Sequence, residues 1–428
     1  MKIKKPQTIK NKRLVQTGRK LSYRTVDVVQ WCLFAIVCGA VCGAVAAVFG
    51  FTIEAATQAR EQYDWLVWLM PVAGVAIVAI YRLSGIDHPL GTNRVLIAVE
   101  KDEGIAIRIA PLIFVSSALT HLTGGSSGRE GAALQIGGSI ANYIGRKFRM
   151  SHLDLRIVTM CGMAAGFSGL FGTPLAAAIF AMEVTGGTLH YVALFPCLLS
   201  AITARVIAMH MGTKATSFAV SHFMELSPRA VLSVIVLGVL CALVSILFCQ
   251  VMHFVGWTYK RYLKNPYVRI IVAGVLVAGL TTLLGTRDYN GAGGAVIVRA
   301  LAGDARTEAF LLKMLITALT LEAGFKGGEI VPTFFIGATF GAAFAPLVGL
   351  DPGFAAALCM AGLFCGVTNC PIASILLSFE LFGGQSLILF ALCCSLSYML
   401  SGHYSLYAAQ RLEQDKFHLE QGPSSVVK

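Results

Sequence analysis

The chain has 428 residues, 56% of them hydrophobic and only 13% charged, with a mean hydropathy of +0.73. Soluble globular chains carry roughly a quarter charged residues, so this composition excludes an ordinary soluble protein. A net charge of +12 would suggest nucleic acid in a soluble chain, but three quarters of it sits within 1–24: Lys2, Lys4, Lys5, Lys10, Lys12, Arg13, Arg19, Lys20 and Arg24, with no acidic residue among them.

That basic stretch, 1–25, precedes an apolar segment, which the positive-inside rule reads as a cytoplasmic end resting on anionic lipid. The segment 28–53 runs for 26 residues without a charge, long enough to cross a bilayer and too long for a cleaved leader. Comparable runs at 157–182, 230–259, 270–286, 330–350, 352–379 and 381–410 predict an all-α polytopic membrane protein with ten or more helices. Some of these helices are too short or too glycine-broken to cross simply. All twelve Cys residues lie in or beside the apolar segments and read as small core fillers, with no disulfide framework and no zinc site.

In chain order, the first motif with chemistry is GTNRVL at 91–96, where Gly91, Thr92 and Asn93 offer a turn and polar side chains at a helix start. Next comes GGSSGREGAALQIG at 124–137. Glycines ahead of a helix leave free backbone N–H groups at its positive dipole end, a setting that favours an anion. Glu130 stands in this motif between long apolar stretches. A carboxylate at membrane depth costs roughly 2.5–3.5 kcal/mol, which makes it a functional residue by default. Ionised, it competes with an anion for the N–H groups; protonated, it swings away and carries a proton.

Residues 169–187, GLFGTPLAAAIFAMEVTGG, align without a gap on 366–384, GVTNCPIASILLSFELFGG, at an offset of 197. The pairs are Gly169 and Gly366, Pro174 and Pro371, Glu183 and Glu380, and the double glycines that end each segment. GREGAALQIG at 128–137 is echoed more weakly by GGEIVPTFFIG at 327–337, each placing glycines and one acidic residue just before a helix at an offset of about 200. The chain therefore reads as two related membrane repeats, 26–220 and 221–412, joined by a polar link near 221–229 and followed by a short polar tail, 413–428. Such repeats with Gly- and Pro-interrupted helices mark a transporter whose site lies between them.

The second repeat supplies another helix start at 325–341, with Glu329 beside it and Pro332 in the first turn. Its remaining polar residues read more modestly. Lys313 and Glu322, nine apart, suggest a proton route or a surface charge pair. Glu183 and Glu380 suggest a shared capping or pairing role. His121, His190, His210 and His403 lack ligand spacing and are assigned to no metal. Gly166, Gly169, Gly172, Gly337 and Gly341 read as close helix packing. Tyr404 and Tyr407, near the last helix, are either interfacial belt residues or donors into a central cavity, the belt being the commoner case.

Over about 25–412 these motifs resemble the CLC family of anion channels and proton-coupled antiporters. The resemblance is carried by G-R-E-G at 128–131, G-G-E-I-V-P at 327–332, G-T-P-L-A at 172–176, N-C-P-I-A at 369–373 and S-L-Y-A-A at 405–409. It implies an inverted-repeat bundle of broken, tilted helices in a homodimer, with no cofactor. It further implies Glu130 as the external gate and proton carrier, and an anion held by Gly131, Ala132, Ile330, Val331 and Tyr407. Where chloride-transporting members have G-S-G-I-P, this chain has G-T-N-R-V. Ala132 replaces a Pro, and Glu329 adds a carboxylate. This pattern is similar to the fluoride-exporting branch, in which Asn93, or Thr92 if the loop slips by one residue, takes the place of the lost Ser.

The function so implied is exchange of fluoride for protons across a bacterial plasma membrane. The alternatives are a chloride/proton antiporter or a passive chloride channel. A membrane enzyme using Glu130 and Glu329 as an acid/base pair is the reading from another class; no nucleophile with a base and no metal-ligand cluster supports it.

Overall fold

The computed structural model describes residues 7–86, 91–101, 103–186, 191–220, 222–412, 416 and 424–425; side chains are described from Val28 on, except at 411, 412, 424 and 425. Lys2, Lys4, Lys5, Gly187, His190 and most of the 413–428 tail lie outside the described residues. The side chains of the other six basic residues in 1–24 do so as well.

The first half contains α1 (Gln7–Gln62), a 3-10 turn (Asp64–Leu69), α2 (Met70–Leu83), α3 (Asn93–Lys101), α4 (Ile109–Leu122), α5 (Glu130–Lys147), α6 (His152–Phe171), α7 (Pro174–Glu183) and α8 (Tyr191–His210). The second half contains α9 (Pro228–Tyr262), α10 (Pro266–Leu284), α11 (Gly294–Leu301), α12 (Ala309–Leu321), α13 (Ile330–Val348), α14 (Pro352–Thr368), α15 (Pro371–Phe382) and α16 (Leu387–Leu400). A two-residue ladder, β1 (Arg411–Leu412) with β2 (Ser424–Ser425), is the sheet structure among the described residues. Seven stretches are long and apolar enough to span a bilayer, the first being Val28–Gln62, and six shorter apolar helices accompany them. The molecule is an all-α, multi-pass membrane bundle.

The apolar runs at 157–182 and 352–379 each break into two helices, and they break alike. Gly172 (φ 88°) and Asn369 (φ 55°) close α6 and α14 in the left-handed conformation. Thr173 (φ −119°, ψ 80°) and Cys370 (φ −121°, ψ 76°) then turn the chain, and Pro174 and Pro371 open α7 and α15. The same residue offset thus reproduces the same backbone, which is the structural form of the repeat. Gly172 is accordingly a turn residue as well as a packing one, since a Cβ there would also stand 2.7 Å from Ala215 Cα.

The two halves clasp each other reciprocally. Glu183 Oε1 and Oε2 accept from the N–H groups of Ile372 (3.1 Å) and Ala373 (2.8 Å) at the start of α15. Glu380 does the same for Leu175 (3.0 Å) and Ala176 (2.8 Å) at the start of α7. Each carboxylate therefore satisfies orphan donors and faces the positive dipole end of the opposite repeat's helix. The capping role expected from sequence is what the structure shows. Glu183→Ala and Glu380→Ala should each destabilise the protein by about 1 kcal/mol. Reciprocity predicts similar losses in thermal unfolding in detergent; a loss from one variant alone would contradict it.

Small residues let the central helices approach. A Cβ on Gly137 would stand 2.0 Å from the Gly162 carbonyl oxygen, and one on Gly166 would stand 2.3 Å from that of Ala133. This packs α5 onto α6. The equivalent pair, α13 on α14, is held by Gly337 against the Cys359 carbonyl (2.5 Å) and by Gly341 against that of Ala355 (2.3 Å). All twelve cysteines are free, and all but Cys32 are buried.

Candidate functional site

The core of the site is a meeting of two helix starts. Gly128 N–H donates to the Gly328 carbonyl and Gly328 N–H to the Gly128 carbonyl, both at 2.7 Å, as an isolated antiparallel bridge. Glycine is required here, because a Cβ on Gly328 would lie 2.6 Å from the Gly131 nitrogen. The first helical donors are Ala133 N–H to Arg129 O in α5 and Thr333 N–H to Glu329 O in α13, both 3.0 Å. The N–H groups of Glu130, Gly131 and Ala132, and those of Ile330 and Val331, are therefore left without helical acceptors. Pro332 has none to offer. Two positive dipole ends converge on one place at membrane depth.

Glu130 closes over this place. It is 1% exposed, and its Oε2 accepts from the Arg129 N–H at 3.0 Å, while Arg129 Nε stands 3.6 Å from Oε1. The carboxylate is folded back on the N-terminal end of α5. Arg129 and Glu130 form an ion pair that is buried on the glutamate side, beside the glycine bridge.

The loop ahead of α3 approaches from a different direction, and the structure separates its two candidates. Thr92 Oγ1 accepts from Gln135 Nε2 (3.2 Å) and lies 3.3 Å from where a Gly131 Cβ would be, against the first turns of α5. Asn93 instead uses its Oδ1 to accept the Ala409 N–H at 2.9 Å. Thr92 thus faces α5, and Asn93 ties this loop to the segment that carries Tyr407. That segment is fixed on the turn between α14 and α15. Leu406 N–H donates to Val367 O (3.0 Å), Gln410 Nε2 to Thr368 O (2.7 Å) and Asn369 Nδ2 to Tyr404 O (3.0 Å). Tyr407 is 1% exposed with its hydroxyl buried and unpartnered, so it is not a belt residue. Tyr404, by contrast, accepts from Gln250 in a partly exposed position.

Glu329 stands at the N-cap position of α13, where its side chain makes no capping hydrogen bond. Its Oε2 is buried without a hydrogen-bond partner, 3.5 Å from the position of a Gly131 Cβ, and it interacts electrostatically with Tyr407. Thr92, Gly131 and Glu329 therefore meet at the start of α5, next to Glu130. Among the described residues no ion pair joins Glu329 to Lys326, whose ammonium lies over the Tyr81 ring at 5.2 Å.

Lys313 and Glu322 do not pair. Nine residues along an α-helix is two and a half turns, which places them on opposite faces. Lys313 is fully buried and donates to the carbonyls of Tyr289 (3.0 Å) and Gly291 (2.7 Å). Sequence reasoning missed Gln135, which bridges Thr92 and the Gly131 carbonyl (3.1 Å). The available signal was a lone amide in an apolar helix, four residues after Gly131.

The voltage gated chloride channel family model matches residues 80–402. A chloride/fluoride channel protein of Pseudomonas syringae pv. tomato is 35% identical over 399 residues, 91% of this chain and 88% of the relative. The crystal structure of a CLC-type fluoride/proton antiporter superposes with a TM-score of 0.87 at 34% identity, covering 90% of this chain and 98% of that one. The structure of a slow cyanobacterial Cl−/H+ antiporter shares the fold, with a TM-score of 0.76 at 20% identity over 87% of this chain.

Proposed function

The chain belongs to the voltage gated chloride channel (CLC) family, and from that premise we propose that it exports fluoride across a bacterial inner membrane in exchange for protons. The observation that carries this reading is Glu130 folded onto the helix start that an anion would occupy. One carboxylate can then serve both ions in turn: ionised it blocks the anion, and protonated it releases the donors and moves a proton. The anion would be held by the N–H groups of Gly131, Ala132, Ile330 and Val331, by the free hydroxyl of Tyr407 and by the Thr92 hydroxyl, with Asn93 fixing the loop.

Fluoride fits this site on physical grounds. It is small and strongly hydrated, so many donors must replace its water. The carboxyl of Glu329, which has an unpartnered oxygen, becomes a further donor when protonated. The first relative above is named for both chloride and fluoride, and the closely superposing structure is that of a fluoride/proton antiporter. Hydrogen fluoride enters cells as a neutral weak acid and ionises inside, so expelling the anion against an incoming proton uses the proton gradient. The proposal includes a cytoplasmic N-terminus and a homodimer.

Purified protein in liposomes loaded with fluoride or chloride tests the reading with ion-selective electrodes. Fluoride efflux should exceed chloride efflux at least tenfold. Equal rates would make the protein a general halide transporter and remove the fluoride assignment.

A further inference from the structure

A second polar cluster lies where α1 ends, on the side of the membrane opposite the chain's N-terminus. Arg60 is 7% exposed; its Nη2 lies 3.6 Å from the exposed Glu61 carboxylate, whereas Nε and Nη1 are buried with no hydrogen-bond partner. The guanidinium rests on Gly291, where a Cβ would stand 2.3 Å from Nη1, and its Cδ lies against Gly124. These two loops are joined to each other: Gly291 N–H donates to Gly125 O (3.1 Å) and Asn290 Nδ2 to Gly124 O (2.6 Å). Lys313 reaches the same loop through the Gly291 carbonyl.

His121, on α4, is 1% exposed and gives its Nδ1–H to Ser117 O (2.8 Å), which leaves Nε2 buried and unpartnered. It interacts electrostatically with Arg60, Arg129 and Lys313. The carboxylates nearby are engaged elsewhere: Glu61 on the outer edge of Arg60, Asp64 with Arg287, and Glu130 with Arg129. Two of the Arg60 nitrogens thus lie buried against glycine backbone without an acceptor, and the carboxylate beside the third, that of Glu61, is exposed. A buried charge so weakly balanced, with hydrogen bonds unmade, is unfavourable. Water can satisfy the bonds; a small anion satisfies both the bonds and the charge.

The geometry points to a small-anion binding station formed by Arg60 Nε and Nη1. Gly124, against which the Arg60 Cδ lies, is four residues from Gly128, so their Cα atoms are within about 14 Å and the station stands near the bridge beneath Glu130. This inference rests on the anion-transport reading and adds to it a site outside the gate.

The test is fluoride transport in right-side-out and inside-out membrane vesicles, with the fluoride dependence measured from each face. In Arg60→Gln the apparent affinity from the outer face should fall roughly tenfold, the loss of one charge-assisted contact, with the inner-face dependence unchanged. Arg60→Lys, expected to lie between the unmodified protein and Arg60→Gln, carries the test if Arg60→Gln does not fold. An outer affinity like that of the unmodified protein in the folded Arg60 variant would overturn the inference and assign the unpaired atoms to water only. Failure of the unmodified protein to transport fluoride would instead overturn the transport reading.

Discussion

Glu130→Gln is expected to reduce proton movement coupled to fluoride to the level of protein-free liposomes, a loss of at least tenfold, while leaving a folded protein. Gln is nearly the same shape, so the α5 packing survives. It cannot ionise, however, and therefore can neither compete as an anion for the N–H groups at the start of α5 nor deliver a proton. Its amide oxygen can still accept from the Arg129 N–H, as Oε2 now does at 3.0 Å, but without a negative charge it holds this helix start more weakly than the carboxylate does, so fluoride should flow passively. A pH electrode and a fluoride electrode in one liposome suspension read both quantities. Retained coupled exchange would refute the gate assignment.

Gly137→Val should prevent accumulation of folded protein. The Gly162 carbonyl oxygen stands 2.0 Å from where the new Cβ would be placed, and backbone cannot give way as a side-chain tip can. Overpacking of this kind typically costs about 1–3 kcal/mol or more, and here it would part α5 from α6 two turns along from Glu130. Gly279→Ala is the matched control. Nothing lies within 4 Å of its Cβ position, in the middle of α10. There alanine should be neutral, or stabilising by about 0.5–1 kcal/mol. Size-exclusion profiles in detergent distinguish the two; a monodisperse Gly137→Val protein would contradict the packing account.

Much of this architecture was legible in the sequence because it is encoded locally and twice. The G-R-E-G and G-G-E motifs announced two helix starts, and the repeat offset placed Glu183 and Glu380 in equivalent roles before their reciprocal capping was seen. The breaks at Gly172 and Asn369 were less visible, since hydropathy runs through them unchanged; only the following Pro174 and Pro371 hinted at new helices. What stayed hidden depends on contacts across hundreds of residues. Thr92 and Asn93 are neighbours in sequence, and only the Ala409 N–H, 316 residues away, decides which of them turns from the gate helix. Tyr407 looked like a belt residue until the stapled loop buried it. Lys313 and Glu322 suggested a pair because spacing was read without the helix face on which each stands. Arg60 drew no attention, since a cation near the end of a membrane helix is ordinarily an interfacial anchor.

The central claim is that one carboxylate alternates between anion and proton, so that the two fluxes are obligatorily linked. The most direct measurement sets a fluoride gradient across liposomes with no initial pH difference and follows the proton. Outward fluoride flow should drive protons inward against the gradient that this creates, in fixed proportion to the fluoride released. Fluoride flow that leaves the internal pH unchanged would contradict the account and make the protein a passive channel.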